Sequence, residues 1–291
     1  ALRLLKGRLF QMCSNSFAVG VFDSGLGGLT AVKELKKILP DEKIIYFGDT
    51  GRVPYGTRSA EIITKYALDD LNFLNSFGVK TVLVACGTVS SVAIDTLREK
   101  FNMPITGIVE PAAKKACAIS KTGRIAVLAT PATVRNKAFD RVISKIRPDA
   151  SVMSVGCTMF VPLVESGYVD ENCTVTNIIA DEYISKLKDY KPDVIILGCT
   201  HYPIIAPIIK NAAKRIIGDV EIVDSGAEGA AAIKNFLETN GLMNQNRECR
   251  GAEFYVSDET QDFEKSASLF LGEKIRDVTK IDIADFSYNN R

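Results

Sequence analysis

The sequence predicts an α/β protein of two similar domains, each a mostly parallel sheet flanked by helices, with a ligand site in the cleft between them. Three observations carry that expectation. Apolar runs of strand length alternate with amphipathic stretches of helix length along nearly the whole chain, the rhythm of a parallel sheet with right-handed crossovers. Two of the runs end alike, Thr81-Val82-Leu83-Val84 leading into Ala85-Cys86-Gly87-Thr88 and Asp193-Val194-Ile195-Ile196-Leu197-Gly198 into Cys199-Thr200-His201. At 291 residues the chain also exceeds the ~100–200 typical of one domain.

Taken in order, Phe17 to Phe22 reads as the first buried strand. Asp23-Ser24-Gly25-Leu26-Gly27-Gly28 is its turn into a helix with Leu29, Val32, Leu35 and Leu39 on one face, stopped by Pro40. The glycines lack the spacing of a dinucleotide loop, and a carboxylate at Asp23 repels phosphate. Asp23 and Ser24 suit a zwitterion or the orientation of a catalytic group; a plain helix cap is the alternative. Ile44 to Phe47 is a second strand, and Gly48 to Gly56 a loop punctuated by glycine and proline, of the kind that carries function. A helix from about Ser59 ends at Gly78, the strand to Cys86 follows, and helix Val89 to Lys100 with strand Ile105 to Val109 completes the first series.

The pattern restarts at Ala112 with a helix to Ser120. Strand Arg124 to Ala129, helix Thr133 to Ile146, strand Ser151 to Val155, a short helix around Phe160 to Gly167 and helix Asn172 to Leu187 then lead to the Cys199 strand. Beyond Pro203 come a helix to Ile217, strand Val220 to Val223, and Asp224-Ser225-Gly226, which repeats Asp23-Ser24-Gly25 ahead of another helix. Asn240 to Arg250 reads as a mobile polar loop. Glu253 to Val256 and Val278 to Ile281 are late strands around a helix ending near Leu271, and the unbroken rhythm leaves open which half they join.

Composition excludes several classes. Lys+Arg 36 against Asp+Glu 35 leaves no electrostatic footprint for nucleic acid or an anionic membrane. No apolar run reaches the ~18 residues of a membrane span. Seven scattered cysteines, no C-x-x-C and a single histidine argue against a zinc site or a disulfide scaffold, and reduced thiols point to the cytosol. Residues 1–16 are treated as a peripheral N-terminal extension, since Arg3, Lys6 and Arg8 interrupt its apolar residues and no small-residue cleavage site follows.

At the carboxyl ends of parallel strands a thiol meets ligand rather than core, although free cysteine is also among the most buried residue types. Two such thiols suggest one site between two halves. A thiolate on one face of a carbon next to a carboxylate can remove its proton, and a thiol on the other face can return one, so the pair suits a substrate and product that are mirror images. A cysteine protease dyad is disfavoured because His201, the sole histidine, is two residues from Cys199 on the same element. A redox pair has no other support in the chain.

Val21-Phe22-Asp23-Ser24-Gly25-Leu26-Gly27-Gly28-Leu29, Tyr46-Phe47-Gly48-Asp49-Thr50, Pro54-Tyr55-Gly56, Glu110-Pro111, Leu197-Gly198-Cys199-Thr200-His201-Tyr202-Pro203 and Val223-Asp224-Ser225-Gly226 closely resemble the glutamate racemases of the aspartate/glutamate racemase superfamily. The resemblance runs from about Phe17 to Gly272. It implies a cofactor-independent enzyme interconverting L- and D-glutamate for peptidoglycan synthesis, in the cytoplasm and commonly as a homodimer. It makes Cys86 the residue that takes the α-proton of the D isomer and Cys199 that of the L isomer. Asp23 assists Cys86, and Glu165 and His201 assist Cys199. Asp23, Ser24, Pro54, Tyr55, Gly56, Gly87, Thr88, Thr200 and His201 are the expected substrate contacts, with no metal and no cofactor. The resemblance further implies a discontinuous first domain, 17–111 plus 225–291, and a second of 112–224.

One position departs from the family pattern: Cys86-Gly87-Thr88 stands where Cys-Asn-Thr is usual, so an amide contact to substrate is lost. That keeps open a racemase of another acidic amino acid such as aspartate, and a non-catalytic binding or regulatory protein on the same scaffold. His201, where an aspartate-specific relative is expected to have an acidic residue, favours glutamate. Retention of both thiols speaks against a mere binder.

Overall fold

The computed structural model describes residues 17–246, 249–258, 263–275 and 277–288. The expected N-terminal extension, 1–16, lies outside them.

Two parallel sheets organise the chain. In the first half, β1 (Val19–Asp23), β2 (Lys43–Gly48), β3 (Thr81–Val84) and β4 (Ile105–Gly107) are linked by α1 (Leu29–Ile38), α2 (Ala60–Asn75) and the pair α3 (Gly87–Val92) and α4 (Ile94–Lys100). Helix α5 (Val109–Ile119) then carries the chain to β5 (Arg124–Ala129), α6 (Pro131–Asn136), α7 (Ala138–Ile146), β6 (Ser151–Gly156), α8 (Phe160–Glu165), α9 (Thr174–Ser185), β7 (Val194–Leu197), α10 (Ala206–Ile216) and β8 (Glu221–Asp224). Helix α11 (Ser225–Thr239) leads back to β9 (Gly251–Val256), α12 (Phe263–Leu271) and β10 (Val278–Lys280).

The six-stranded sheet runs β10-β9-β2-β1-β3-β4 and the four-stranded sheet β6-β5-β7-β8, with every pairing parallel. The late strands therefore join the first half, β9 pairing with β2 from Gly251 opposite Lys43 to Val256 opposite Gly48. Each sheet begins at an interior strand, β1 or β5, flanked on one side by the next strand in sequence and on the other by the one after it. The carboxyl edge beside such a strand is where ligands enter open α/β sheets. Cys86 follows β3 and Cys199 follows β7, so each thiol stands at the end of the third strand of its series, next to the first.

The strands read as apolar runs because both faces of each sheet are covered. Val19, Val21, Leu83, Ile195 and Leu197 share one continuous core that passes between the sheets, while Phe22, Val82 and Val84 face a second core and Val127, Val194 and Ile196 a third. Helices α5 and α11 pack on each other where the chain crosses between sheets. Glu110 and Pro111 lie inside α5, so the expected strand to Val109 ends earlier, at Gly107, and the helix expected from Ala112 begins at Val109. Proline is accommodated there because the first helical turn has no intrahelical partner for its missing N–H.

Two expected helices are each split. The segment after Cys86 already turns helical at Gly87 and breaks at Ala93 (φ −113°), and Thr133 to Ile146 divides at Lys137, which adopts a left-handed φ of 56°. Among the described residues five cysteines are free, Cys86, Cys117, Cys157, Cys173 and Cys199, whereas Cys249 is disulfide-bonded, a departure from the expected reduced thiols.

Candidate active site

The turn after β1 supplies the first wall. Asp23 is buried; its Oδ2 accepts the Gly25 N–H at 3.1 Å, while Oδ1 is buried without a hydrogen-bond partner. A carboxylate oxygen left unpaired away from water is costly unless a ligand supplies the donor. Burial pushes the Asp23 carboxyl above its usual range, and the positive charge on His201 partly offsets this. The similar tripeptide Asp224-Ser225-Gly226 does different work: Asp224 Oδ1 accepts the N–H groups of Gly226 and Ala227 at 2.8 and 3.2 Å and caps α11.

Cys86 is the N-cap residue of α3, and its sulfhydryl donates to Ser24 Oγ at 3.5 Å. Burial and then the Asp23 carboxylate push its pKa up to about 12, against hydrogen bonds from Ser24 and Val89. Those surroundings favour the thiol form of Cys86 at neutral pH.

The second wall is built differently. Cys199 Sγ lies 3.9 Å from His201 Nδ1, and His201 Nε2 lies 3.0 Å from Glu165 Oε1. Burial pulls the His201 pKa down, but its hydrogen bonds to Cys199 and Glu165 outweigh that and hold the imidazolium up to about 10. The ring is fixed edge-on against Phe270 of α12, with centroids 4.9 Å apart. Because the folded pKa lies above the unfolded value of about 6.5, the stability His201 contributes is complete below that pH and is lost as pH rises through about 10. With one histidine in the chain, a ¹³C-histidine NMR titration reads this group as a single resonance. Its midpoint is expected near 10 and lower in Glu165→Gln, which removes one of the two partners; an unchanged midpoint in that variant would exclude Glu165 as the cause.

Close backbone approach joins the walls. A Cβ built on Gly87 would lie 2.2 Å from the Gly198 carbonyl oxygen, so the two thiol-bearing turns meet main chain to main chain. The sequence marks Gly87 as a missing amide; the structure adds a steric reason for having no side chain there. A Cβ on Gly27 would lie 2.2 Å from Thr200 Oγ1 and 2.5 Å from His201 Nδ1, and Thr30 Oγ1 donates to the Thr200 carbonyl at 3.0 Å. The Gly25-Leu26-Gly27-Gly28 run thus lets the first wall seat against the second.

Thr88 and Thr200 are both buried here, and Thr88 Oγ1 lies 3.0 Å from Thr130 Oγ1 at the end of β5. In the loop after β2, Pro54 is exposed and Gly56 faces Thr130, but the Tyr55 side chain turns away into a buried acidic cluster, leaving only its backbone for a ligand. Thr130 and Phe270 were not singled out from the sequence. Thr130 follows a predicted strand at its carboxyl end and is recoverable by that rule; Phe270 comes from α12, whose place no local pattern reveals.

Cavities of about 300 Å³ beside Phe101 and Tyr288 and about 410 Å³ between Arg98, Lys114 and Glu228 lie away from both thiols. Among the described residues, no group of three or more His, Cys, Asp or Glu side chains is arranged to hold a metal ion, and no helix is long and apolar enough to cross a membrane.

The Asp/Glu/hydantoin racemase family model matches residues 30–233. This chain belongs to that family. It is 39% identical over 271 residues to the glutamate racemase of Geobacter metallireducens, an alignment covering 91% of this chain and 97% of the relative. The crystal structure of Francisella tularensis glutamate racemase in complex with D-glutamate superposes with a TM-score of 0.86 at 35% identity, covering 93% of this racemase and 99% of that one. Picrophilus torridus aspartate racemase, at 16% identity and a TM-score of 0.55, shares the fold. Within its family this racemase thus stands with the glutamate enzymes.

Proposed function

We propose that the racemase interconverts L- and D-glutamate by proton transfer at Cα between Cys86 and Cys199, without a cofactor. The observation that carries this reading is the pairing of two thiols at equivalent strand ends of two parallel sheets, brought together by the contact of Gly87 with the Gly198 carbonyl.

From L-glutamate, Cys199 takes the α-proton while the Cys86 thiol, already protonated in the free enzyme, supplies one to the opposite face. From D-glutamate the roles exchange. Cys86 must then first lose its proton, and the substrate ammonium brings to Asp23 and Cys86 the positive charge that this wall lacks; an opposite charge favours the ionised form. Asp23 Oδ1, with no protein donor, is the acceptor for that ammonium or for the Cys86 proton. On the other wall the Glu165–His201 pair serves Cys199 in the same capacity, with the imidazolium able to return a proton to the sulfur. Ser24, Thr88, Thr200 and the backbone at Pro54, Tyr55, Gly56 and Gly87 complete the substrate shell.

The role extends to supplying D-glutamate for peptidoglycan in the cytoplasm, with the enzyme as a homodimer. The reading also divides the chain into one domain of 17–111 with 225–291 and a second of 112–224, and the strand order of the six- and four-stranded sheets supports that division. Circular dichroism tests the reading: purified protein without added cofactor is expected to abolish the optical activity of D-glutamate and leave D-aspartate unchanged. Turnover of aspartate alone would reassign the substrate, and turnover of neither would overturn the enzyme reading.

A further inference from the structure

Beside the loop carrying Pro54, Tyr55 and Gly56 lies an ionic cluster that the proton-transfer chemistry does not use. Arg52 spends all three guanidinium nitrogens on three different carboxylates: Nε on Asp49 at 2.6 Å, and the two terminal nitrogens on Asp69 at 3.0 Å and Asp70 at 2.6 Å. Its guanidinium carbon stands 4.2 Å from the centre of the Tyr66 ring. The Tyr55 hydroxyl donates to Asp49 and lies 3.1 Å from Asp70 Oδ2, so this buried side chain is held by two of the same three carboxylates.

The cluster gathers four separate stretches of chain. Asp49 follows β2, and Asp69 and Asp70 lie within α2. Ser257, just past β9, donates to Asp49 Oδ1 at 2.7 Å, and the Tyr288 N–H near the C-terminus donates to Asp69 Oδ1 at 2.9 Å. At the other end of the loop, a Cβ on Gly56 would sit 3.3 Å from Thr130 of the second sheet, whose hydroxyl meets Thr88 next to Cys86. An ordinary structural ion pair has no need of three buried carboxylates around one cation. Their forked geometry fixes a direction as well as a charge, which only a guanidinium supplies.

We propose that Arg52, clamped by Asp49, Asp69 and Asp70, is a positioning residue that holds the backbone of Pro54-Tyr55-Gly56 against Thr130, so that the loop presents its main chain to the side-chain carboxylate of the amino-acid substrate. This rests on the racemase reading for the identity of the substrate. Arg52 touches no reacting atom and acts through Tyr55. Because the loop grips a part of the substrate that is the same before and after inversion, the clamp contributes to ground state and transition state alike, and its loss belongs in KM rather than kcat.

The test compares wild type with Arg52→Lys, Arg52→Gln and Tyr55→Phe. Racemisation is followed in both directions, D-glutamate binding by calorimetry, and folding by thermal melting. A roughly 10- to 100-fold rise in KM and in the dissociation constant, equal for both enantiomers, with kcat held within about threefold, is the expected pattern for the Arg52 variants, Lys included. Tyr55→Phe keeps the guanidinium and its carboxylates and is expected to show a smaller shift in the same direction, which covers the case of an Arg52 variant that fails to fold. A lowered melting temperature with unchanged KM and binding would make the cluster merely structural and overturn the proposal, as would a fall confined to kcat. Wild-type protein that binds glutamate but does not racemise it would sink the proton-transfer reading while leaving this comparison intact; wild type that neither binds nor turns over glutamate would sink both.

Discussion

Serine at Cys86 or at Cys199 is expected to cut racemisation of glutamate in both directions by about a thousandfold, the middle of the range for a positioned acid or base. Each direction needs one sulfur to remove a proton and the other to supply one, so neither direction survives either substitution. Solvent exchange separates the two roles. In D₂O, Cys199→Ser retains the base assigned to D-glutamate and is expected to wash deuterium into that isomer without inverting it; Cys86→Ser is expected to do so only with L-glutamate. Proton NMR of the recovered amino acids reads the result. Racemisation surviving in either folded variant would refute the two-base scheme, and exchange with the opposite enantiomer would reverse the assignment. The wash-in by Cys199→Ser is expected to speed up as pH rises, because Cys86, with its pKa pushed up to about 12, must first give up a proton.

Alanine at Gly27 or Gly87 is expected to lower kcat/KM by about a hundredfold, the scale on which a misplacement of about 1 Å in an active site is felt. At Gly27 the new methyl would fall 2.2 Å from Thr200 Oγ1 and 2.5 Å from His201 Nδ1, and the imidazole has no room to retreat, being held by Glu165 on one side and Phe270 on another. At Gly87 it would meet the Gly198 carbonyl oxygen at 2.2 Å, main chain that moves only if the two turns separate. Small-angle scattering on Gly87→Ala is expected to report a more open cleft with an unchanged far-ultraviolet spectrum. Gly87→Asn restores the amide usual in the family at the same steric cost. A gain of activity in Gly87→Asn would show that the lost hydrogen bond, rather than space, governs this position.

Much of the fold was legible because a parallel sheet covered on both faces leaves a strong local signature. Arg124 to Ala129 reads as a strand from its apolar run alone, and the chain folds it over those same residues. Helix interiors were less legible. Nothing in the side chains of Thr133 to Ile146 announces the left-handed Lys137, and Gly87-Thr88 does not look helical until the turn after Cys86 is seen to start there. In the site, Asp23, Ser24, Cys86, Thr88, Cys199, Thr200, His201 and Glu165 were singled out from the sequence, and hydrogen bonds, charge interactions or close packing link them into two facing walls. Tyr55 was singled out too, but its ring points into the Arg52 cluster. Proximity in sequence to a functional loop does not say which way a side chain turns.

The sequence by itself determined the alternation of strand and helix, the two strand-end thiols and the family, because these depend on residue type and on spacing along the chain. Only the tertiary structure decided that β9 and β10 complete the first sheet, that Phe270 reaches His201, that Gly27 and Gly87 mark contacts between the walls, and that Asp224 caps a helix while Asp23 keeps an oxygen free. Each of these depends on which distant surfaces meet, and local propensity and hydrophobic period carry no information about that. Two copies of Asp-Ser-Gly with the same intrinsic preferences therefore take different roles, according to whether the strand before them ends at the shared cleft or at the edge of the smaller sheet.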